Sequence, residues 1–138
     1  MNRVYLDHNA TMPLRPEAKA AMIAAMDVVG NPSSVHAEGR AARALVEKAR
    51  AQVAAALGAE GADIIFTSGA TEAAALALSG RDLHAAPVEH DAVAAWCTLS
   101  LPVGRDGRVA VSDPANSVLQ LANSETGILQ DLPEGLAV

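Results

Sequence analysis

Apolar and polar positions along the chain alternate between two periods, and the change is sharpest in IIFTSGATEAAALAL, residues 64–78. Its β-branched and aromatic run predicts a buried strand over 63–67, the small residues Thr67, Ser68 and Gly69 a turn, and the alanines a helix over 70–79. Upstream, 4–6 is a short strand candidate, and DHNATMPLRP, with Asn9, Pro13 and Pro16, marks a loop. Pro16 suits the first turn of a helix running to about Asp27, with Ala21, Met22, Ala25 and Met26 on one face. Gly30, Asn31 and Pro32 stop it. A longer helix is predicted over 35–57, with Ala42, Leu45, Val46, Ala49, Val53 and Leu57 as its stripe and Gly58 as its terminator. After Gly80 the pattern predicts a short strand ending near Glu89, a helix in DAVAAW, a strand in LPV, and a turn in GRDG leading to an extended piece. A strand over 117–122 then enters the loop NSETG.

Strands alternating with helices imply an α/β fold, with helices packed on a mainly parallel sheet. In such sheets ligands gather at the carboxyl ends of the strands. Three loops qualify: 68–71, 89–90 and 123–127.

Composition narrows the partners. With 138 residues, 51% hydrophobic, the chain has the size of one domain and ample material for a core. An aromatic content of 2% means that the core is built from alanine, valine, leucine and isoleucine. A net charge of -6 argues against nucleic acid, which asks for a basic face. No apolar run approaches the roughly 18 residues of a membrane span, and MNRVYLDHNAT lacks a signal-peptide core. Cys97, the single cysteine, cannot form an internal disulfide. The expectation is a soluble cytoplasmic protein.

The turn in TSGAT carries the clearest chemistry. Gly69 permits close approach of a ligand, and the N–H groups of Ala70 and Thr71 stand at a helix N-terminus with the positive end of its dipole behind them. Thr71 adds a hydroxyl. A phosphate suits such a turn, and so does a plain strand-to-helix connection in which the serine caps the helix. No Gly-Lys-Ser/Thr follows, so it is not a Walker loop. Glu72 belongs in the first helical turn, where the dipole favours it. His90, in VEHDAV, is either a capping or core histidine or a flat imidazole at a strand end, able to stack on a planar ring or move a proton. His8, His36, His84 and His90 have no ligand spacing, so no metal site is expected.

The stretches YLDHNATMP, GNPSSVHAEGRAAR, IIFTSGATEA, VEHDAV and LANSETGILQ occur in the order and at about the intervals of the cysteine desulfurases. The chain therefore resembles, nearly end to end, the N-terminal part of that pyridoxal-phosphate family (fold type I, class V aminotransferase-like). The resemblance implies an enzyme that takes sulfur from L-cysteine as an enzyme persulfide and releases L-alanine. It implies delivery of that sulfur to an iron–sulfur scaffold or other acceptor, and a homodimer. It divides the chain into an N-terminal arm, 1–34, and the first part of a large cofactor-binding domain, 35–138. It places Ala70 and Thr71 on the phosphate of pyridoxal 5'-phosphate, and His90 on the ring as a stacking and catalytic group. Ser124 then stands at a cofactor-ring contact. The family usually has asparagine there, and serine offers no amide. Met12 replaces a common threonine.

The family's covalent lysine follows a Ser-x-His pattern that this sequence lacks; its two lysines, Lys19 and Lys48, fall in predicted helices with a solvent-facing look. Lysine, ring-binding aspartate, substrate arginine and persulfide cysteine are expected beyond Val138. Cys97, in a predicted helix, is expected to be a buried, inert thiol. Three readings follow: a portion of a desulfurase, inactive alone; one half of a split enzyme; or a non-catalytic module that keeps the turn for another phosphate ligand.

Overall fold

The computed structural model describes residues 3–138. By contacts the chain forms two compact units, 1–65 and 66–138, each described by itself.

The first unit is built from two helices. Helix α1, Pro16–Met26, starts where Pro16 supplies a preset φ and lacks only an N–H that would have had no helical acceptor. Helix α2, Ala37–Ala56, ends at Gly58, whose φ of 62° is the left-handed conformation that glycine adopts without penalty. Ala59 N–H donates to the Ala54 carbonyl at 2.8 Å and Gly58 N–H to Ala55 at 3.3 Å, the paired bonds of a Schellman cap. The loop 30–34 lies tightly over the start of α2. A Cβ on Gly39 would stand 2.5 Å from the Asn31 carbonyl oxygen and 2.6 Å from that of Ser34, and one on Gly30 would strike the Glu38 carbonyl. Ala42 and Ala54 are buried, while Leu45 and Val53 of the predicted stripe stay partly open.

In the second unit, helix α3 covers Ala70–Leu78, strand β1 His84–Ala85, helix α4 Asp91–Ala94 and strand β2 Thr98–Leu99. The strands are parallel, pairing His84 with Thr98 and Ala85 with Leu99. On its other side β1 takes a parallel bridge from Ser117, and Val118 N–H donates to the His84 carbonyl at 2.9 Å. Leu78, Leu83 and Val118 form the core, with Ala74 and Ala77 of α3, Val93 of α4, Cys97 and Ala137 against it. Burying a leucine fully contributes about 1.5–3 kcal/mol, so this cluster clamps α3 and α4 to the sheet. The fold is thus mixed α/β, helices on a small parallel sheet.

Several expected elements differ. Residues 4–6 and 63–67 form no strand, and Ile65 is 74% exposed. A strand is completed by a ladder partner, and neither segment finds one among the described residues. The expected strand in LPV lies earlier, at Thr98–Leu99, and Val103 instead bridges Val109 across a turn closed by Gly107. The expected strand over 117–122 survives only as two bridges, Ser117 to His84 and Ala122 to Leu129. Cys97 follows α4 rather than lying in it, since that helix stops at Ala94.

Candidate functional site

The turn before α3 is organised by a carboxylate. Ser68 donates both its N–H, at 2.7 Å, and its hydroxyl, at 2.6 Å, to Glu72 Oε2. The reach from the first helical turn back to the preceding loop resembles half of a capping box. The Ser68 hydroxyl, and secondarily its N–H, holds the Glu72 carboxyl below the usual glutamate range. Gly69 is the N-cap and has no side chain to offer, so the N–H groups of Ala70 and Thr71 have no acceptor among the described residues. A Cβ on Gly69 would meet nothing within 4 Å, and its φ of 167° is extended backbone open to any residue. Neither packing nor backbone conformation within this unit calls for glycine there. What glycine does leave is open space in front of two unpartnered N–H groups, where an anion can be held.

The second constellation surrounds Glu89 and Asn123. Asn123 is buried and held on both sides: its Nδ2 donates to the Val88 carbonyl at 2.9 Å, and its Oδ1 accepts from Glu125 N–H (3.2 Å), Thr126 N–H (2.9 Å) and the Thr126 hydroxyl (2.9 Å). One side chain therefore ties the loop 123–127 to the segment before His90. Glu89 Oε1 accepts the Gln120 N–H at 3.3 Å, while Oε2 is buried without a partner. Burial pushes the Glu89 carboxyl above its ordinary pKa, and the Gln120 bond offsets only part of that. Burial likewise raises the Cys97 thiol, helped by the charge of Glu89, which fits the expected unreactive thiol.

His90 caps α4. Its Nδ1 accepts the Ala92 N–H at 3.0 Å, so in the neutral ring the proton sits on Nε2. The side chain is exposed, which excludes a core histidine and leaves both cap and ligand contact available to one ring. A cavity of about 420 Å³ is lined by Pro87, Val88, Glu89, His90, Asp91 and Glu125.

Of the residues singled out in the sequence, His90 lines this cavity; Ala70 and Thr71 lie at the start of α3, and Ser124 does not line it. Ser124 is half-buried, with its N–H donating to Gln120 Oε1 at 3.3 Å. Glu89 falls in the 89–90 loop that the sequence singled out, but its burial and its unpartnered oxygen were not foreseen. Among the described residues no group of side chains could hold a metal ion, and no helix is long and apolar enough to cross a membrane. Lys19 and Lys48 are exposed on α1 and α2, in the first unit.

The aminotransferase class-V family model matches residues 4–97. Over 99% of the chain, the sequence is 39% identical to a cysteine desulfurase of Cereibacter sphaeroides, covering 42% of that protein. It is 37% identical to the cysteine desulfurase IscS of Dictyoglomus turgidum, over 95% of the chain and 40% of the relative. It is 33% identical to a selenocysteine lyase of Bos taurus, over 96% and 41%. The chain thus spans about two fifths of the length of these relatives. The Cereibacter alignment runs over 165 positions against a chain of 138, so that relative holds residues with no counterpart here.

Proposed function

Because the chain belongs to the aminotransferase class-V family, in its cysteine-desulfurase group, we propose that it is the N-terminal, cofactor-holding portion of a pyridoxal-phosphate-dependent cysteine desulfurase. The whole protein, on this reading, is a cytoplasmic homodimer that takes sulfur from L-cysteine, releases L-alanine and passes the sulfur to an iron–sulfur scaffold or another acceptor. Residues 1–34 form its N-terminal arm and 35–138 open its large domain. This chain alone is inactive, because the cofactor-binding lysine and the persulfide cysteine come from elsewhere in the protein.

The observation that carries the reading is the open, glycine-fronted pair of N–H groups at Ala70 and Thr71, in a chain of this family. Those donors fit the cofactor phosphate. Ala70 and Thr71 would hold it through backbone N–H groups, with the Thr71 hydroxyl as a further donor. Pyridoxal phosphate, when bound, supplies the electron sink that such chemistry on an amino acid needs. Glu72 keeps Ser68 drawn back, so the turn is already shaped when the phosphate arrives. His90, its Nδ1 committed to the Ala92 N–H, presents a fixed ring to stack against the cofactor and Nε2 as the atom that holds or moves a proton. Ser124 stands at the position of the ring contact; its N–H donates to Gln120 Oε1 at 3.3 Å and its hydroxyl to Glu125 Oε1 at 3.5 Å.

The test is Thr71→Val in the full-length protein. Removing a hydroxyl donor to a charged phosphate costs about 1.5–3 kcal/mol, so the cofactor dissociation constant rises about tenfold to a hundredfold. Ser124→Asn leaves it nearly unchanged. Equal cofactor affinity in wild type and Thr71→Val, read by visible absorbance of the bound cofactor, contradicts the assignment.

A further inference from the structure

Gln120 is held at its backbone and at one end of its side-chain amide, and the other end is spare. Its backbone N–H donates to Glu89 Oε1 at 3.3 Å, in the segment that leads to His90. On either side the chain is fixed: Leu119 is buried, and the Leu121 carbonyl accepts the Gln130 N–H at 2.8 Å. The side chain reaches the 123–127 loop, where Oε1 accepts the Ser124 N–H at 3.3 Å. A backbone N–H can bond only to the oxygen of an amide, so this contact decides which way round the amide lies. Nε2 is left with two N–H donors and no acceptor among the described residues. There, Glu89 Oε2 is the only buried side-chain nitrogen or oxygen without a partner, so Nε2, equally unpartnered, is open to solvent. Ser124 cannot supply such a donor itself, because a hydroxyl carries one proton and this one is directed to Glu125 Oε1 at 3.5 Å. Serine thus stands where the resemblance expects asparagine, and an amide is brought to the same loop from four residues upstream.

We propose that Gln120 supplies the amide that Ser124 lacks, with Nε2 donating an N–H to the ring hydroxyl oxygen of bound pyridoxal 5'-phosphate. This rests on the cofactor reading given above and deepens it, by assigning a ring-contact residue that no motif marks. Glu89 sets where the Gln120 backbone lies, and the Ser124 N–H sets where its amide points. Both are in place before the cofactor arrives, so little rotamer freedom remains to be lost on binding.

The experiment compares wild-type full-length protein with Gln120→Leu, which removes the amide at nearly constant bulk. Calorimetric titrations use two probes: pyridoxal 5'-phosphate, and its 3-deoxy analogue, which lacks the ring hydroxyl. Gln120→Leu is expected to weaken the first about twofold to tenfold and to leave the second unchanged. Adding Ser124→Asn to Gln120→Leu is expected to recover the lost affinity, since the amide then comes from position 124. Unchanged affinity for pyridoxal 5'-phosphate overturns the proposal. Equal weakening of both probes also overturns it, because Gln120 then only supports the loop. If the variant does not fold, the Gln120 side-chain amide resonances of the 15N-labelled wild type decide. They move much further with pyridoxal 5'-phosphate than with the 3-deoxy analogue if Nε2 meets the ring hydroxyl, and equal shifts overturn the contact. Wild type that binds neither probe sinks the desulfurase reading and this contact with it, whereas tight binding of pyridoxal 5'-phosphate with an indifferent Gln120→Leu sinks the contact alone.

Discussion

Glu72 and Glu89 are carboxylates of one unit, each beside the N-terminus of a helix, and they are held in opposite ways. Glu72 stands in water on the first turn of α3, with one oxygen taking two donors from Ser68, and its ionised form is favoured. Glu89 lies under the residues leading into α4, has one N–H for its two oxygens, and favours the neutral form. The first arrangement satisfies itself and leaves neighbouring backbone donors, those of Ala70 and Thr71, facing outward for an anion. The second leaves an acceptor buried without a donor. The turn before α3 and the segment before α4 therefore differ in kind: backbone donors open to an anion in one, a carboxylate oxygen sealed without a partner in the other.

The sharpest way to break the second region is Asn123→Ala. It frees the Val88 carbonyl and releases three donors of the 125–126 turn, so stability falls by about 2–3 kcal/mol, with one part-buried carbonyl left unpaired. Urea denaturation checks this, and unfolding at the wild-type midpoint contradicts the claim that Asn123 joins the loops. His90→Ala removes the cap of α4 and costs about 0.5–2 kcal/mol, while His90→Asn, which can cap, recovers most of it. The smallest effects are those of pH, and their signs separate the two regions. The raised pKa of Glu89 stabilises the fold fully below the ordinary glutamate value, and this is lost as pH rises through the folded value. The lowered pKa of Glu72 does the reverse: its contribution is present above the ordinary value and is lost as pH falls through the folded one. Comparing melting temperatures across the acidic range, Glu89→Gln should remove a decline toward higher pH, and Glu72→Gln, fully exposed, a weaker decline toward lower pH. Two slopes of the same sign would dissolve the contrast.

How much of this was legible in the sequence follows from the range of the forces involved. Helices α1 and α2 could be read with ends accurate to two residues, because Pro16 and Gly58 act through their own backbone. The start of α3 and the outward N–H groups of Ala70 and Thr71 follow from the same local logic. The run 63–67 has a strand's composition, but a ladder needs a partner, and the pattern of one segment says nothing about whether another pairs with it. Placing Glu72 in the first turn was legible from the helix dipole, whereas its grip on Ser68 required coordinates. The loop 89–90 was legible as a strand end, but the burial of Glu89 was not, for a physical reason. Burial of a carboxylate is decided by Gln120, 31 residues away, and by an asparagine that reaches back 35 residues to Val88.

The central claim is that the turn before α3 holds the phosphate of pyridoxal 5'-phosphate. Amide NMR of the 15N-labelled protein during a titration with the cofactor, and separately with inorganic phosphate, tests it most directly. The account predicts that the Ala70 and Thr71 amide resonances move furthest with both ligands, because their N–H groups gain a charged acceptor where they had none. Resonances of those two residues that stay in place while the cofactor binds, with the shifts gathered elsewhere in the chain, would contradict it.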